Sequence, residues 1–421
     1  MEIKTLDIFF SSDCNLSCKY CYLYHNKRKL KNYNKEIIES FRNKEFVQNI
    51  KNFFIKNQKD PKEIDQLSLW GAEPTLNSNE GYEFLEECFD YFINANTLFF
   101  STNGILGLQG IIPFIEFIKN YKRDLSLRIQ ISIDGPEWIN ETNRGKGSTI
   151  KTVDTINQLS KYLYENELTS KVLITLKPTL NMKQIKTLAE SEEKVFLWYK
   201  FFDDLQDVNN KYNCNNLFLL ANPTIANPEE YSVQDGKNFA KYIKNINSLD
   251  LTKLNHYKHR DLYAASLENI RNSINNISLC CAGRSGYGID KDGMIYICHR
   301  DFTLPVVEEI INNRMAKTPK EFSKMNHLCQ IFHSDSQSRY YFFKIIAFTL
   351  SKYGQIDKKY LMDELSLQYL FKIVNHYMCA FGQIDYTKEL FVFYTGYLKL
   401  IGNGAEEELI KYFYKDKKEI R

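Results

Sequence analysis

Strand-like and helix-like segments alternate about six times within roughly the first 220 residues of this chain, the pattern of repeated βα units. Several strand-like segments are apolar on both faces, as in Leu98-Phe-Phe and Val172-Leu-Ile. Such strands are typical of a buried parallel sheet, whose neighbouring strands are joined by right-handed helical crossovers. The pattern predicts an α/β fold, a partial (β/α)6 barrel of the TIM-like type. Active sites of such barrels lie where strands end, and polar and Gly-rich motifs of this chain fall at those places.

The alternation stops near residue 226. Residues 229–275 are predicted to be helical, and residues 280–300 to form a hairpin, because Asp-Gly is a strong short-range hairpin signal. Two apolar segments, 195–202 and 217–220, compete to be the sixth strand of the barrel. The predicted parts are a barrel over 1–225, a helical connector over 226–275, and a C-terminal domain with a helical tail over 276–421.

Charge and composition restrict the class of protein. The 421 residues carry 55 Lys and Arg against 52 Asp and Glu, a formal net charge of +3, which gives no indication of nucleic acid or an anionic membrane as partner. No apolar run is long enough to span a bilayer, and the first residues do not form a signal peptide, so we expect a cytoplasmic protein. Little chain precedes the first strand, and we expect no fused leader-binding domain there.

The chain has ten cysteines, and in a long chain without an export signal they suggest metal ligands rather than disulfides. Cys88 lies on an apolar helical stripe and is predicted to be buried in the core. Cys214 lies in an Asn-rich turn that allows no interpretation.

Three cysteines follow the first strand directly, in the run Cys14-Asn-Leu-Ser-Cys18-Lys-Tyr-Cys21. Thiolates at this spacing can hold one cubane iron–sulfur cluster from a single loop and leave one iron without a protein ligand. A structural zinc site would need four ligands, and the nearest candidate for the fourth, His25, is separated from the third cysteine by only three residues. The loop therefore favours an iron–sulfur cluster that is open to a small-molecule ligand.

This loop, with an aromatic residue, Tyr20, before its third cysteine, resembles that of the radical S-adenosylmethionine (SAM) superfamily. Ala72 replaces the second Gly of the next family motif, a departure of one methyl group. The other motifs that resemble the family occur in order, each at or after the end of a predicted strand: Gly71-Ala-Glu-Pro-Thr75-Leu76, Ser101-Thr-Asn-Gly104, Ser132-Ile-Asp-Gly-Pro136 and Asn143-Arg-Gly-Lys-Gly-Ser148.

The resemblance implies how SAM would be held. The backbone edge at Gly71 would bind the methionine amino group, and Ser132 and Asp134 would approach the ribose. Arg144 would bind the methionine carboxylate, to which the guanidinium fork is suited. The implied cluster ligands are Cys14, Cys18 and Cys21. The implied cofactor-binding residues are Tyr20, Gly71, Ala72, Glu73, Thr102, Asn103, Ser132, Asp134 and Arg144.

The resemblance also implies the chemistry. In the family, a reduced [4Fe-4S] cluster passes one electron to SAM, which yields methionine and a 5′-deoxyadenosyl radical that abstracts a hydrogen atom from the substrate. The electron would come from a flavodoxin- or ferredoxin-type reductant. The barrel interior would keep water and thiols away from the radical.

A second group of cysteines resembles the opening of the SPASM/twitch extension, in the run Cys280-Cys-Ala-Gly283 to Gly293 and Cys298. Both Cys280 and Cys281 fit the family spacing, and the Cys-x-Ala-Gly form favours Cys280. The further cysteine run of a full SPASM domain is absent from the sequence. The resemblance therefore implies one auxiliary [4Fe-4S] cluster with Cys280, Cys298, Cys329 and Cys379 as ligands; burial of Cys329 and Cys379 as helix cysteines is the alternative.

His299 and Arg300 follow Cys298, at a position that faces the barrel mouth in related enzymes. His299 is a candidate proton acceptor near neutral pH, and Arg300 is a candidate catalytic neighbour; a solvated or structural pair is the alternative.

The resemblance to sulfatase-maturating enzymes and peptide cyclases implies a substrate class. The expected function is modification of a peptide or protein, typically the precursor of a ribosomally made natural product. A crosslink, a thioether, an epimerisation and an oxidation all remain open. The same radical chemistry on a small-molecule metabolite is the alternative, followed by an iron–sulfur sensor without turnover.

Overall fold

The computed structural model describes residues 4–21, 23, 27–212, 217–219, 224–225, 238, 241–242, 245, 249–255 and 286–296. Its strands are β1 (Thr5–Ser11), β2 (Gln66–Gly71), β3 (Thr97–Thr102), β4 (Ser126–Ser132), β5 (Val172–Lys177), β6 (Thr179–Leu180), β7 (Leu217–Leu219), β8 (Thr224–Ile225), β9 (Gly286–Ile289) and β10 (Ile295–Tyr296). Its helices are α1 (Lys27–Arg42), α2 (Glu45–Lys56), α3 (Tyr82–Tyr91), α4 (Leu108–Asn120), α5 (Glu137–Arg144), α6 (Ser148–Glu165), α7 (Met182–Leu188) and α8 (Glu192–Asn210). Short 3-10 helices cover Pro61–Glu63, Pro74–Asn77 and Leu251–Lys253.

Eight of the described strands form one sheet in the order β10-β9-β1-β2-β3-β4-β5-β7. All neighbours in it are parallel except β9 and β10, which form an antiparallel hairpin. The strands from β1 to β5 lie in their chain order, and right-handed crossovers between strands in that order place the helices on one face of the sheet. This confirms the predicted α/β fold and the partial TIM-like barrel.

The helix-covered face of the sheet is the apolar core. On β4, Leu127, Ile129 and Ile131 are fully buried, while the residues between them are half-buried or exposed. This period of two matches a strand with one face under helices. Phe10 on β1 packs against aromatic rings from α1, α3 and α4, with centroid distances of 5.0 Å to Phe41, 6.2 Å to Phe84 and 6.0 Å to Phe114.

The sixth parallel strand of the barrel is β7, which pairs with β5. The competing segment, 195–202, lies inside α8 and is helical. Short apolar runs do not distinguish helix from strand by periodicity, and here the run belongs to a 19-residue helix that begins with Glu192 and Glu193. Cys88, on α3, is fully buried, which confirms its predicted place in the core.

The predicted hairpin is confirmed where the structure describes it. Gly293 has a φ of +78° in the turn, and the Asp290 carboxylate accepts hydrogen bonds from the backbone N–H of Asp292 and Met294, both at 3.0 Å. The hairpin is also part of the barrel sheet, because β9 runs parallel to β1 with Ile289 opposite Ile8. This pairing joins residues 281 positions apart, such as Ile8 and Ile289, and was not predicted.

The chain divides into two compact units, of which the first groups Met1–Pro178, Asp204–Leu220 and Cys281–Asn312 and the second contains the rest. The first unit contains the eight-stranded sheet. In the second, β6 pairs in parallel with β8, and α7 begins with a capping box formed by Asn181 and Gln184. Within the described part of the chain, no helix has the length and apolar character to cross a membrane. The predicted division at 226 and 276 stays a prediction.

Candidate active site

The motifs singled out in the sequence meet at one edge of the sheet. Because β1 to β4 are parallel, their carboxyl ends lie side by side, and the loops that follow them share that edge. The loop after β1 carries the three cysteines, and the loop after β2 begins at Gly71. Loops with Asn103 and Asp134 follow β3 and β4. The site is therefore built from four consecutive strand ends.

The loop after β2 lies against the start of the cysteine loop. Gly71 has a φ of +121°, and a Cβ atom placed on it would lie 1.8 Å from the carbonyl oxygen of Ser11. The next two N–H groups donate across the same gap, from Ala72 to Ser11 O at 2.8 Å and from Glu73 to Asp13 O at 3.0 Å. Ala72 has no positive φ, so its methyl group strains no backbone. The departure from the family motif is therefore compatible with the turn.

Glu73 joins the loops after β2 and β3. Its carboxylate is buried and accepts hydrogen bonds from the Thr75 hydroxyl at 2.6 Å, the Thr102 hydroxyl at 2.7 Å and the Asn103 N–H at 2.7 Å. Burial raises the pKa of Glu73, although these donors act in the opposite direction. No basic side chain pairs with it among the described residues.

Cys14 is held by groups from its own loop and from the loop after β3. Its N–H donates to the Asp13 carboxylate at 2.9 Å, and its Sγ accepts from the Leu16 N–H at 3.4 Å and from Asn103 Nδ2 at 3.6 Å. Burial, with a further contribution from the Glu73 charge, raises the pKa of Cys14 to about 12. The thiol is therefore protonated at neutral pH unless a metal ion displaces the proton.

The other end of the cysteine loop meets β4 and α5 through the half-buried Tyr20 and the buried Asp134 and Arg144. The Tyr20 hydroxyl donates to Asp134 Oδ2 at 2.7 Å, and Arg144 Nη2 lies 3.1 Å from Asp134 Oδ1. The guanidinium carbon lies 5.5 Å from the centre of the Tyr20 ring. Burial alone would lower the pKa of Arg144, but the Asp134 carboxylate, Tyr20 and Cys18 raise it above its ordinary value. Arg144 therefore carries a permanent positive charge beside the cysteine loop.

Asn140, on α5, fixes the backbone under Asp134. Its Oδ1 accepts from the Asp134 N–H at 2.9 Å, and its Nδ2 donates to the Ser148 and Thr149 hydroxyls at 3.0 and 3.1 Å. The Asn143 carbonyl accepts from the Lys19 N–H at 3.1 Å, which ties α5 to the cysteine loop. The sequence pattern did not predict α5, which has only eight residues.

A second connection missed by sequence reasoning holds the start of the cysteine loop. Asn34 on α1 and Asn77 form a reciprocal pair of amide hydrogen bonds, both at 3.1 Å. Asn34 Oδ1 also accepts from the Ser12 N–H at 2.9 Å, and Asn77 Nδ2 donates to Phe10 O at 2.9 Å. Asn77 follows the β2 motif directly, but Asn34 lies in a Lys-rich polar segment with no local signal.

The donor set fits an iron–sulfur cluster. Cys14, Cys18 and Cys21 are free thiols of intermediate burial on one loop. No three His, Cys, Asp or Glu side chains of the described residues surround a single point where one metal ion would sit. A cubane does not need such a point, because each of its cysteines binds a different iron. Donors to Cys14 Sγ and the adjacent Arg144 charge suit the negative sulfur ligands of a cluster.

The structure brings together most of the predicted cofactor residues. Ser132 ends β4, is half-buried, and lies opposite Lys177 in the register with β5. Asp134, predicted to approach the ribose, has both carboxylate oxygens on protein groups. Several predicted residues lie outside the described part of the chain: His25, Cys214, Cys280, Cys281, Cys298, His299, Arg300, Cys329 and Cys379.

Comparison with known proteins agrees with this geometry. Residues 8–191 match the radical SAM superfamily. The chain is 23% identical over 300 residues to a cysteine-type anaerobic sulfatase-maturating enzyme of Clostridium novyi, covering 68% of this chain and 71% of that enzyme. It is 26% identical over 233 residues to a radical SAM cyclopropyl synthase of Paramaledivibacter caminithermalis, covering 50% of this chain and 45% of the synthase. The chain thus spans less than half the length of the second relative.

Proposed function

We propose, on the premise that residues 8–191 match the radical SAM superfamily, that this chain is an enzyme that modifies a peptide or protein by hydrogen-atom abstraction. The observation that carries the proposal is the meeting of the cysteine loop, Glu73 and Arg144 at one edge of a parallel sheet. The name of the sulfatase-maturating relative says that it acts on a protein. This likeness favours a polypeptide substrate over a small metabolite.

The roles of the residues follow from their charges and burial. Bound at the cysteine loop, a [4Fe-4S] cluster with SAM supplies the 5′-deoxyadenosyl radical. Cys14, Cys18 and Cys21 would hold three of its irons. The Glu73 carboxyl group, held by hydrogen bonds at the loop after β2, favours the methionine amino group there, and the positive charge of Arg144 favours the methionine carboxylate on the opposite side of the cysteine loop. Half-buried Ser132 remains available for the ribose.

Release of 5′-deoxyadenosine tests the activity itself. The protein should be reconstituted anaerobically with iron and sulfide, reduced by a flavodoxin- or ferredoxin-type donor, and supplied with SAM. Release of 5′-deoxyadenosine supports an enzyme, whereas its absence from a protein with fully loaded clusters supports the alternative of a sensor. Co-expression with short peptides encoded beside the gene, followed by mass analysis of those peptides, then separates a peptide substrate from a metabolite.

Replacing Arg144 with Lys should weaken SAM binding by about 1–3 kcal/mol, since an ammonium group cannot match a carboxylate with two parallel bonds. The dissociation constant of the reconstituted protein measures the effect. Arg128→Lys is the matched control, because Arg128 lies on the same sheet, is exposed, and its side chain forms no hydrogen bond or ion pair with other described residues. Equal affinities of Arg144→Lys and the unsubstituted protein would show that Arg144 does not bind the carboxylate.

An auxiliary cluster at the C-terminal cysteines belongs to the same proposal. In the hairpin, the start of β9 and the end of β10 lie side by side, with Tyr296 opposite Gly288. Cys280 and Cys281 shortly precede β9, and Cys298 follows β10 by two residues, so the chain is short enough on both sides for a shared ligand set. Cys329 and Cys379 would complete it. His299 and Arg300 then remain candidates for a proton acceptor and its neighbour.

Iron analysis of the anaerobically reconstituted protein should give about eight irons per chain, because one catalytic and one auxiliary cubane each contain four. The number of cysteines sets this expectation, since a second auxiliary cluster would need four more and only Cys88, Cys214 and Cys281 remain. A value near twelve would contradict the single auxiliary cluster. A value near four, with the N-terminal loop intact, would leave the later cysteines with a packing role only.

A further inference from the structure

We propose that Asp134 is a positioning residue that orients Arg144 and Tyr20, and that it does not bind the ribose of SAM as the family resemblance implies. The proposal rests on the SAM-binding role given above to Arg144. It reassigns one residue of the cofactor site. Arg144 then ends a series of contacts that begins in the cysteine loop, from Tyr20 to Asp134 to Arg144.

Direct contact of Asp134 with a ligand is disfavoured because the residue is buried and both of its carboxylate oxygens already contact protein groups. The residue is 0% exposed, whereas Arg144 is 7% exposed and Ser132 at the end of the same strand is half-buried. A ribose hydroxyl could reach the Asp134 oxygens only after neighbouring protein groups had moved away. Ser132 offers a hydroxyl at the same strand end without any such displacement.

The two oxygens of Asp134 are directed at different parts of the site. Oδ1 lies 3.1 Å from Arg144 Nη2 at the end of α5, and Oδ2 accepts the Tyr20 hydroxyl at 2.7 Å. The Asp134 N–H is in turn fixed by Asn140. A carboxylate held in this way sets the direction of the guanidinium, because an ion pair with defined geometry restricts the rotamers of a long side chain.

Arg144 retains a donor for a ligand. Its Nε is buried and has no hydrogen-bond partner within the described structure. A buried N–H without a partner is costly, and a carboxylate group placed beside it would satisfy it. The atom that awaits a ligand is therefore on Arg144, while both oxygens of Asp134 already bind protein groups.

A double-mutant cycle on the reconstituted protein tests the coupling. SAM affinity is measured for the unsubstituted protein, Asp134→Asn, Arg144→Gln and the double variant, from the change in the electron paramagnetic resonance signal of the reduced cluster. If Asp134 acts through Arg144, Asp134→Asn should weaken SAM binding about tenfold alone and less than about twofold in the Arg144→Gln background. Independent effects that multiply in the double variant would overturn the proposal.

Methionine provides a second readout, since it has the carboxylate but no ribose. Asp134→Asn should weaken the binding of methionine and the binding of SAM by similar factors, whereas Ser132→Ala should weaken the binding of SAM alone. If Asp134→Asn weakens SAM binding and leaves methionine binding unchanged, Asp134 binds the ribose and the proposal is wrong. Failure of the proposed function would look different, because the unsubstituted protein would then show no signal change with SAM.

Tyr20→Phe keeps the test decisive if Asp134→Asn loses its iron. The substitution removes only the hydroxyl bonded to Asp134 Oδ2 and leaves the ring beside Arg144. Tyr20→Phe should weaken SAM binding by a smaller factor than Asp134→Asn does. This effect should also disappear when Arg144 is already replaced by Gln. A full, multiplicative effect of Tyr20→Phe in that background would contradict a chain of contacts that ends at Arg144.

Discussion

Changing Cys14, Cys18 and Cys21 together to Ala should remove about four irons per chain and abolish the release of 5′-deoxyadenosine. In the proposed function these three thiolates are the protein's whole contribution to the catalytic cluster, and SAM would have no iron to bind without them. Iron analysis after anaerobic reconstitution and a chromatographic assay of 5′-deoxyadenosine measure the two effects.

Cys88→Ala is the matched control, because Cys88 is a free thiol buried on α3 in the apolar core. The control should keep its iron and its cofactor cleavage, with only the modest loss of stability that a small cavity causes. Retained 5′-deoxyadenosine production in the triple variant would refute the assignment of these three cysteines as ligands of the catalytic cluster.

Gly71→Ala should destabilise the barrel by about 3–5 kcal/mol, the combined effect of backbone strain and overpacking. The new Cβ would lie 1.8 Å from Ser11 O and 2.8 Å from the Phe9 ring, at a φ of +121° that disfavours any side chain. Relief requires β1 and β2 to separate at the start of the cysteine loop, so iron content should fall as well. Guanidinium unfolding of the metal-free protein measures the stability change.

Gly147→Ala separates backbone strain from collision. Gly147 also has a positive φ, of +77°, but a Cβ on it would meet nothing within 4 Å. It should lose only about 1–2 kcal/mol, the penalty of left-handed backbone. Equal losses in the two variants would show that the close approach of Gly71 to Ser11 is unimportant.

The features that depend on a local sequence pattern, namely the parallel sheet, the hairpin turn and the loops at the strand ends, were predictable. The alternation of apolar strands and helices indicated the parallel barrel, and Asp-Gly indicated the turn at Gly293. The cysteine loop, Gly71 and Asp134 were placed at strand ends, where the structure has them. These features follow from periodicity and turn chemistry, which a single segment carries in its own residues.

Features that depend on distant pairing were not predictable. Nothing in Gly286–Ile289 indicates that it adds to β1 rather than to another strand. The partners of Asn34 lie 22 residues before it, at Ser12, and 43 residues after it, at Asn77, and an Asn beside lysines is ordinary for a solvated face. The ion pair of Asp134 and Arg144 joins two residues that motif comparison had assigned separately to the ligand.

The pairing of β9 with β1 has a consequence for how the chain is made. At 5–20 residues per second, about 15–55 s pass between synthesis of the first strand and synthesis of the strand that covers its outer edge. During that time β1 presents unpaired N–H and C=O groups beside the apolar Phe9 and Phe10, a template for wrong pairing with other chains. A chain stopped anywhere before residue 286 keeps that edge open permanently. Expression of the barrel without the hairpin should therefore yield aggregates, and slower synthesis should increase dependence on chaperones.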